Sequence, residues 1–281
     1  MPALHRSPAI NKIKFISLFS FLPALVIGCY TMQHFGVPKN IWLANIVFTL
    51  VGMAIGLLLK RSLKFFALIG PKAIVFFLIL FLLFTFYNEG SMNVHRWVSI
   101  AGVRLNVGLL VSPILLIQLS KLDNLLLPVL AFVVAAFIFL LQPDASQVAA
   151  FSIAGSILLI SKTKNKVAVF CILFFALSIT FISWHNLDNL PPISYVERIV
   201  QMAGKISKLF MFCSILSLVL IPLPLLVLYS PKNKIAAISL SVYFSLSILS
   251  TFLGNFPVLF MGYGISPIAG YLIASFWFWR S

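Results

Sequence analysis

The chain has 281 residues, of which 62% are hydrophobic and only 9% charged, and its mean hydropathy is +1.11. Soluble domains carry about 25% charged residues, so this composition excludes a water-soluble fold and points to one integral membrane domain over residues 1–281 with no soluble domain. The formal charge of +15 does not mark a nucleic-acid binder, because no basic run is dense and none alternates with aromatics in a polar segment; it marks cytoplasmic loops and contact with anionic headgroups instead.

Arg6, Lys12 and Lys14 precede an apolar run that starts at Phe15. That run has no small-x-small cleavage pattern and leads directly into further apolar segments, so it is predicted to be an uncleaved first helix, not a signal peptide. A helix needs about 20 apolar residues to cross hydrocarbon. Ten spans are predicted near 15–35, 41–59, 65–87, 107–120, 125–141, 146–160, 167–184, 208–229, 235–253 and 266–279. Pro23, Pro71, Pro113, Pro128, Pro222 and Pro224 lie in or beside them and predict kinks. Cys29, Cys171 and Cys213 sit inside apolar runs and are predicted to be small buried hydrophobes. His34, His95 and His185 stand singly, without the spacing of metal ligands, so no metal and no cofactor is expected.

The basic residues sort by side. With the N-terminus in the cytoplasm, the inner segments hold fourteen: Arg6, Lys12, Lys14, Lys60, Arg61, Lys64, Lys72, Lys121, Lys162, Lys164, Lys166, Lys232, Lys234 and Arg280. The outer segments hold six: Lys39, Arg96, Arg104, Arg198, Lys205 and Lys208. This asymmetry predicts an all-helical bundle with both ends inside and an even number of spans. The acids run the other way: Glu89, Asp144, Asp188 and Glu197 fall outside and only Asp123 inside. Any site is therefore expected to face out.

Four outer segments hold more than connectors need. Residues 88–107 carry Arg96, Trp97 and Arg104; this is either an interfacial loop with Trp97 at headgroup depth or a place where two guanidinium groups grip an anion. In "QPDAS" at 142–146, Asp144 either starts a helix or faces a polar cleft with an arginine partner. Residues 185–207 contain "ISYVERIVQMAGKI", with Glu197, Arg198 and Lys205 among apolar residues at helical spacing, which predicts a helix lying along the membrane surface. At 254–271, Gly254, Gly262, Gly264 and Gly270 with Pro257 and Pro267 predict a broken or re-entrant segment near 254–266.

"HRWVSIAGVRL" at 95–105, "QPDASQVAAF" at 142–151 and "PVLFMGYGIS" at 257–266, with a weaker "SYVERI" at 194–199, resemble motifs of the SEDS family (shape, elongation, division and sporulation), the FtsW/RodA/SpoVE-like cell-wall polymerases. The resemblance covers about 90–270 and appears in family order. It implies a ten-span fold with both ends inside, which the charge count reaches independently. It also implies a glycosyltransferase of the bacterial inner membrane. Such an enzyme joins sugars from lipid II, an undecaprenyl-diphosphate-linked precursor, on the extracytoplasmic side, with a single-span transpeptidase as partner.

Arg96 and Asp144 stand where the family has its arginine and its "PD" aspartate. The substrate-binding set implied is Arg96, Trp97, Arg104, Gln142, Arg198 and Tyr263, with arginines holding the diphosphate and Asp144 or Glu197 activating the attacking hydroxyl. The chain departs from the family in two places. Asn106, Val107, Gly108 and Leu109 replace "QPSE" and Ser112 replaces the motif lysine, while the outer loop that ends in "PE-x-x-TDF", with the usual candidate for the catalytic base, is absent. An enzyme and a non-catalytic protein that binds polyprenyl lipid or docks a cell-wall synthase therefore both stay open. A transporter ranks third, because the internal repeat common in such folds is lacking.

Overall fold

A computed structural model describes residues 18–59, 70–88, 90–100 and 102–280. The predicted cytoplasmic cations Arg6, Lys12, Lys14, Lys60, Arg61 and Lys64, the acid Glu89, and the starts of the first and third predicted spans lie outside these residues. The rest follows the apolar runs closely. The helices are α1 (Leu22–His34), α2 (Lys39–Leu59), α3 (Pro71–Phe84), α4 (Val107–Lys121), α5 (Leu126–Leu141), α6 (Ala145–Ile160), α7 (Lys166–His185), α8 (Ser194–Glu197), α9 (Ile199–Ile206), α10 (Lys208–Val219), α11 (Leu223–Leu228), α12 (Lys234–Leu253) and α13 (Ile265–Arg280). Strands β1 (Trp97–Ile100) and β2 (Val103–Asn106) form one antiparallel hairpin between α3 and α4. The chain is a helical membrane bundle with this one short hairpin. Among the described residues, four runs are long and apolar enough to cross a membrane by length and composition: Lys39–Leu58, Lys166–His185, Lys208–Val227 and Pro231–Leu253.

Helix starts are set by side chains that accept from otherwise orphaned amides, which matters most where water cannot do so. Asn106 accepts from Leu109 N at 3.0 Å, Asn165 from Val167 N at 2.9 Å and Ser207 from Phe210 N at 3.0 Å. Proline supplies no such amide, and Pro71 accordingly opens α3. The predicted span at 208–229 is divided: α10 ends at Val219 and α11 resumes at Leu223, with Pro222 at the break. Pro113, by contrast, sits within α4 without ending it.

α6 runs through the centre and packs against α12, α7, α5 and α4, while α13 packs against α4 and α2. Small residues allow these close approaches. A Cβ on Gly270 would meet Leu109 O at 2.5 Å, and Ser239 donates to Ala154 O at 2.7 Å. Rim helices turn large apolar side chains outward, among them Leu58, Phe77, Phe170 and Phe181, as lipid-facing positions do. One expectation needs correcting here: Cys29 is buried, but Cys171 is exposed and Cys213 only half-buried. Cys171 lies on the lipid-facing side of α7, where a thiol behaves as a small hydrophobe without needing cover.

Between α12 and α13 the chain from Gly254 to Gly264 is non-helical, as the glycines and prolines predict. Phe260 there has φ 63°, a left-handed conformation costly for a side chain of its size. Two buried groups hold this segment. Asn45 of α2, fully buried, donates to Gly262 O at 3.0 Å and accepts from Gly264 N at 3.2 Å. A Cβ on Gly28 of α1 would collide with the Met261 backbone, so α1 lies directly against the segment.

Candidate functional site

The 88–107 segment, predicted as a loop, contains the hairpin. Trp97 pairs with Asn106, Val98 with Leu105, Ser99 with Arg104 and Ile100 with Val103, and Gly102 takes φ 81° in the turn. A tighter turn precedes it, where Ser91 bridges Val94 and the two residues between, Met92 and Asn93, both have positive φ (49° and 63°), the pattern of a type I′ turn. Val107 N bonds Arg96 O at 3.0 Å, so the hairpin root is fixed to the start of α4.

That root places Arg96 beside the start of α6 with only 4% of its surface exposed. A guanidinium so placed needs counter-charge, and two elements supply it. One Nη2 donates to both Pro143 O and the Asp188 carboxylate, and Nε lies 3.5 Å from Asp144 Oδ2. Asp144 is also the N-cap of α6, accepting from Gln147 N at 3.2 Å. The helix start and the arginine partner, posed above as alternatives, therefore coexist. Asp188 sits in the loop after α7, where its other oxygen accepts from Leu190 N at 3.0 Å. Arg96 Nε itself has no acceptor among the described residues.

Glu197, at the end of α8, joins the same electrostatic cluster and accepts from Ile193 N. Burial pushes its carboxyl up from 4.5 to about 7; the Ile193 and Glu197 amides and Arg96 oppose that rise, and Asp188 adds to it. A carboxyl raised in the folded state releases its proton sooner when unfolded. Stability is therefore fully present below pH 4.5 and is lost as pH rises through about 7. Glu197→Gln is expected to flatten this fall in midpoint temperature; a wild-type and variant that decline in parallel across that range would show that Glu197 is not the group responsible.

The backbone ties this cluster to the broken segment. Val258 N bonds Val196 O at 2.9 Å and Tyr263 N bonds Tyr195 O at 3.3 Å, so α8 is stitched along residues 258–263. Beneath Asp144, Gln147 Oε1 accepts from Tyr243 at 2.7 Å and from Ser112 at 3.2 Å, linking α6, α12 and α4 through buried polar atoms. Ser112 is the residue that stands in place of the motif lysine.

Of the predicted site residues, the structure brings Arg96, Asp144 and Glu197 into one charged cluster. Trp97 lies beside it, with the Arg96 and Arg104 guanidinium carbons 5.9 and 5.7 Å from its ring centroid. Arg104 is exposed and donates to Ser91 Oγ at 3.2 Å. Arg198 points to Asn255 Oδ1 at 3.4 Å. Gln142 is buried, its amide nitrogen donating to Thr85 Oγ1 at 2.8 Å and Leu82 O at 3.3 Å. Tyr263 packs partly buried against the apolar core. Asp188 was counted only as an outer acid, although it makes the direct contact to Arg96. Its sole sequence signal is a carboxylate in an outer segment otherwise rich in Asn and Pro.

Chemically, the cluster is one guanidinium shared between the Asp144 and Asp188 carboxylates, so it is net negative even with Glu197 protonated, and more so with Glu197 ionised. Such a set suits accepting a proton from a hydroxyl. A phosphate arriving at Arg96 would have to displace Asp188 or Asp144.

No family model and no curated protein matches the chain. Solved structures do. The crystal structure of a point mutant of the rod shape determining protein RodA from Thermus thermophilus matches with TM-score 0.72 at 14% identity, over 98% of each chain. The unmutated RodA of the same organism matches with TM-score 0.67 at 16% identity, over 93% of this chain and 95% of that one. A chain in a peptidoglycan synthase complex, described for its coordination of polymerization and crosslinking, matches with TM-score 0.65 at 16% identity, over 94% and 97%. The chain thus has the RodA fold over nearly its whole length, the fold that the motif resemblance implies.

Proposed function

We propose that this chain is a SEDS-like protein of bacterial cell-wall synthesis in the inner membrane, with its site on the extracytoplasmic side. Its proposed ligand is an undecaprenyl-diphosphate-linked saccharide, and its proposed partner a single-span transpeptidase. The observation that carries the proposal is the buried Arg96 held by Asp144 and Asp188 beside the start of α6 in a chain with the RodA fold. In the enzymatic form of this reading, Asp144 or Glu197 takes the proton from the attacking sugar hydroxyl, and Arg96 holds that carboxylate set in place.

One observation favours a second form, a non-catalytic lipid-binding or synthase-docking protein. Arg96 is already committed to two carboxylates, and neither the motif lysine nor the loop aspartate is present to compensate. A glycan-chain assay with lipid II as substrate separates the forms. The enzymatic form expects polymer from the purified wild type and a loss of about 100-fold or more in Asp144→Asn. No polymer where a RodA polymerase makes it, with lipid II still retained, selects the lipid-binding form; no polymer and no retention removes the enzyme and the lipid-binding form, and co-purification of a single-span synthase then decides for or against docking.

A further inference from the structure

The Arg96 cluster uses one of the six basic residues that the charge count assigns to the outer side. Four of the others share one stretch of rim. Arg198 precedes α9, Lys205 lies in its last turn, Lys208 opens α10 and Lys39 opens α2. All four are exposed. α9 packs on α10 and α1, and α1 packs on α2. The rings of Tyr30 and Phe210 meet at 5.4 Å, and Tyr30 stacks on the exposed His34 at 6.2 Å, which brings the end of α1 level with the start of α10. Among the described residues no carboxylate lies within ion-pair distance of any of the four.

Their depth is also defined. Lys39 and Lys208 are the first residues of two runs long and apolar enough to cross a membrane, Lys39–Leu58 and Lys208–Val227. They therefore mark the edge of the hydrocarbon. α9 lies across that edge with Ile199, Val200, Met202 and Ala203 buried against the bundle and Lys205 turned out. Outward lysines run against the positive-inside bias, so their concentration at headgroup level on one edge needs a compensating partner.

We propose that this rim binds the phosphate headgroups of anionic phospholipids in the outer leaflet, with lysine stems along the hydrocarbon edge and ammonium groups at the phosphates. The assignment is independent of whether the Arg96 cluster is catalytic.

The test is lipid retention by the purified full-length protein, read by native mass spectrometry with phosphatidylglycerol against phosphatidylcholine. Wild type is expected to retain phosphatidylglycerol preferentially. Lys39→Gln, Lys205→Gln and Lys208→Gln are each expected to reduce that retention about fivefold at low salt, without changing phosphatidylcholine. Lys205→Arg with Lys208→Arg is expected to keep it. Arg198 is left intact because it bonds Asn255. Should any of the glutamine variants not fold, wild-type retention is measured against salt, where it is expected to fall. Equal retention of the two lipids, retention unchanged by the substitutions, or salt-independent retention overturns the proposal. Preference for soluble polyphosphate over phosphatidylglycerol vesicles also overturns it, in favour of a soluble polyanion.

Discussion

Arg96→Ala is expected to destabilise the protein by about 3–5 kcal/mol, the cost of removing one partner from a buried ion pair. The size follows from what is left behind. Asp144 is 4% exposed and Asp188 lies against the same guanidinium, so the substitution strands two carboxylates where water reaches poorly. Asp144 keeps its bond from Gln147 N and Asp188 its bond from Leu190 N, but neither amide carries a full charge. Detergent-solubilised protein unfolded by denaturant gives the measurement. Adding Asp144→Asn and Asp188→Asn to Arg96→Ala is expected to recover most of the loss, since the stranded charge is then gone. A cycle of Arg96→Ala with Asp188→Ala is expected to show coupling of about 0.5–3 kcal/mol. An Arg96→Ala variant as stable as wild type would mean that the cluster is hydrated and open, and its role as a preorganised unit would fall.

The bundle was legible because its signal is redundant. Every span is a run of apolar residues, and the cap residues Asn106, Asp144, Asn165 and Ser207 mark the boundaries chemically. The broken segment was legible for a similar reason, since four glycines and two prolines within 254–271 cannot make one helix. The hairpin was not, because four-residue strands such as "WVSI" and "VRLN" are too short for their alternation to stand out from an interfacial loop. The site was half legible. Arg96 and Asp144 sit in motifs, but Asp188 reaches Arg96 across 92 residues of sequence, and no local pattern encodes that contact. Gln142 is a second case. A polar residue beside a motif aspartate also has a structural use that its neighbours in sequence do not announce: its amide nitrogen donates to Thr85 and Leu82. Spacing reveals which residues share an element; it does not reveal which long side chain from another element consumes their hydrogen bonds.

Asn45 is the sharpest instance of that blindness, and its removal is the second large expected effect. It lies inside a run predicted as plain membrane span, yet it is fully buried and makes two side-chain hydrogen bonds to the 262–264 backbone, to Gly262 O and from Gly264 N. Asn45→Leu fills similar volume but leaves the Gly262 carbonyl and the Gly264 amide without partners. At about 1–3 kcal/mol for each stranded group, the expected loss is about 2–6 kcal/mol. The damage should not stay local. Tyr263 N and Val258 N hold Tyr195 O and Val196 O, and a Cβ on Gly262 would collide with Val196 O, so the segment and α8 move together. Displacing α8 carries Glu197 away from the cover that raises its carboxyl to about 7. Asn45→Leu is therefore expected to lose stability and to flatten the decline between pH 4.5 and about 7 as Glu197→Gln does. It should also speed exchange of the Gly264 amide by about 30-fold or more, as opening made easier by about 2 kcal/mol requires. A destabilised variant with the pH decline intact would place Asn45 in packing alone, whereas loss of both with faster exchange makes it the strut through which α2 holds the broken segment and Glu197 in register with Arg96.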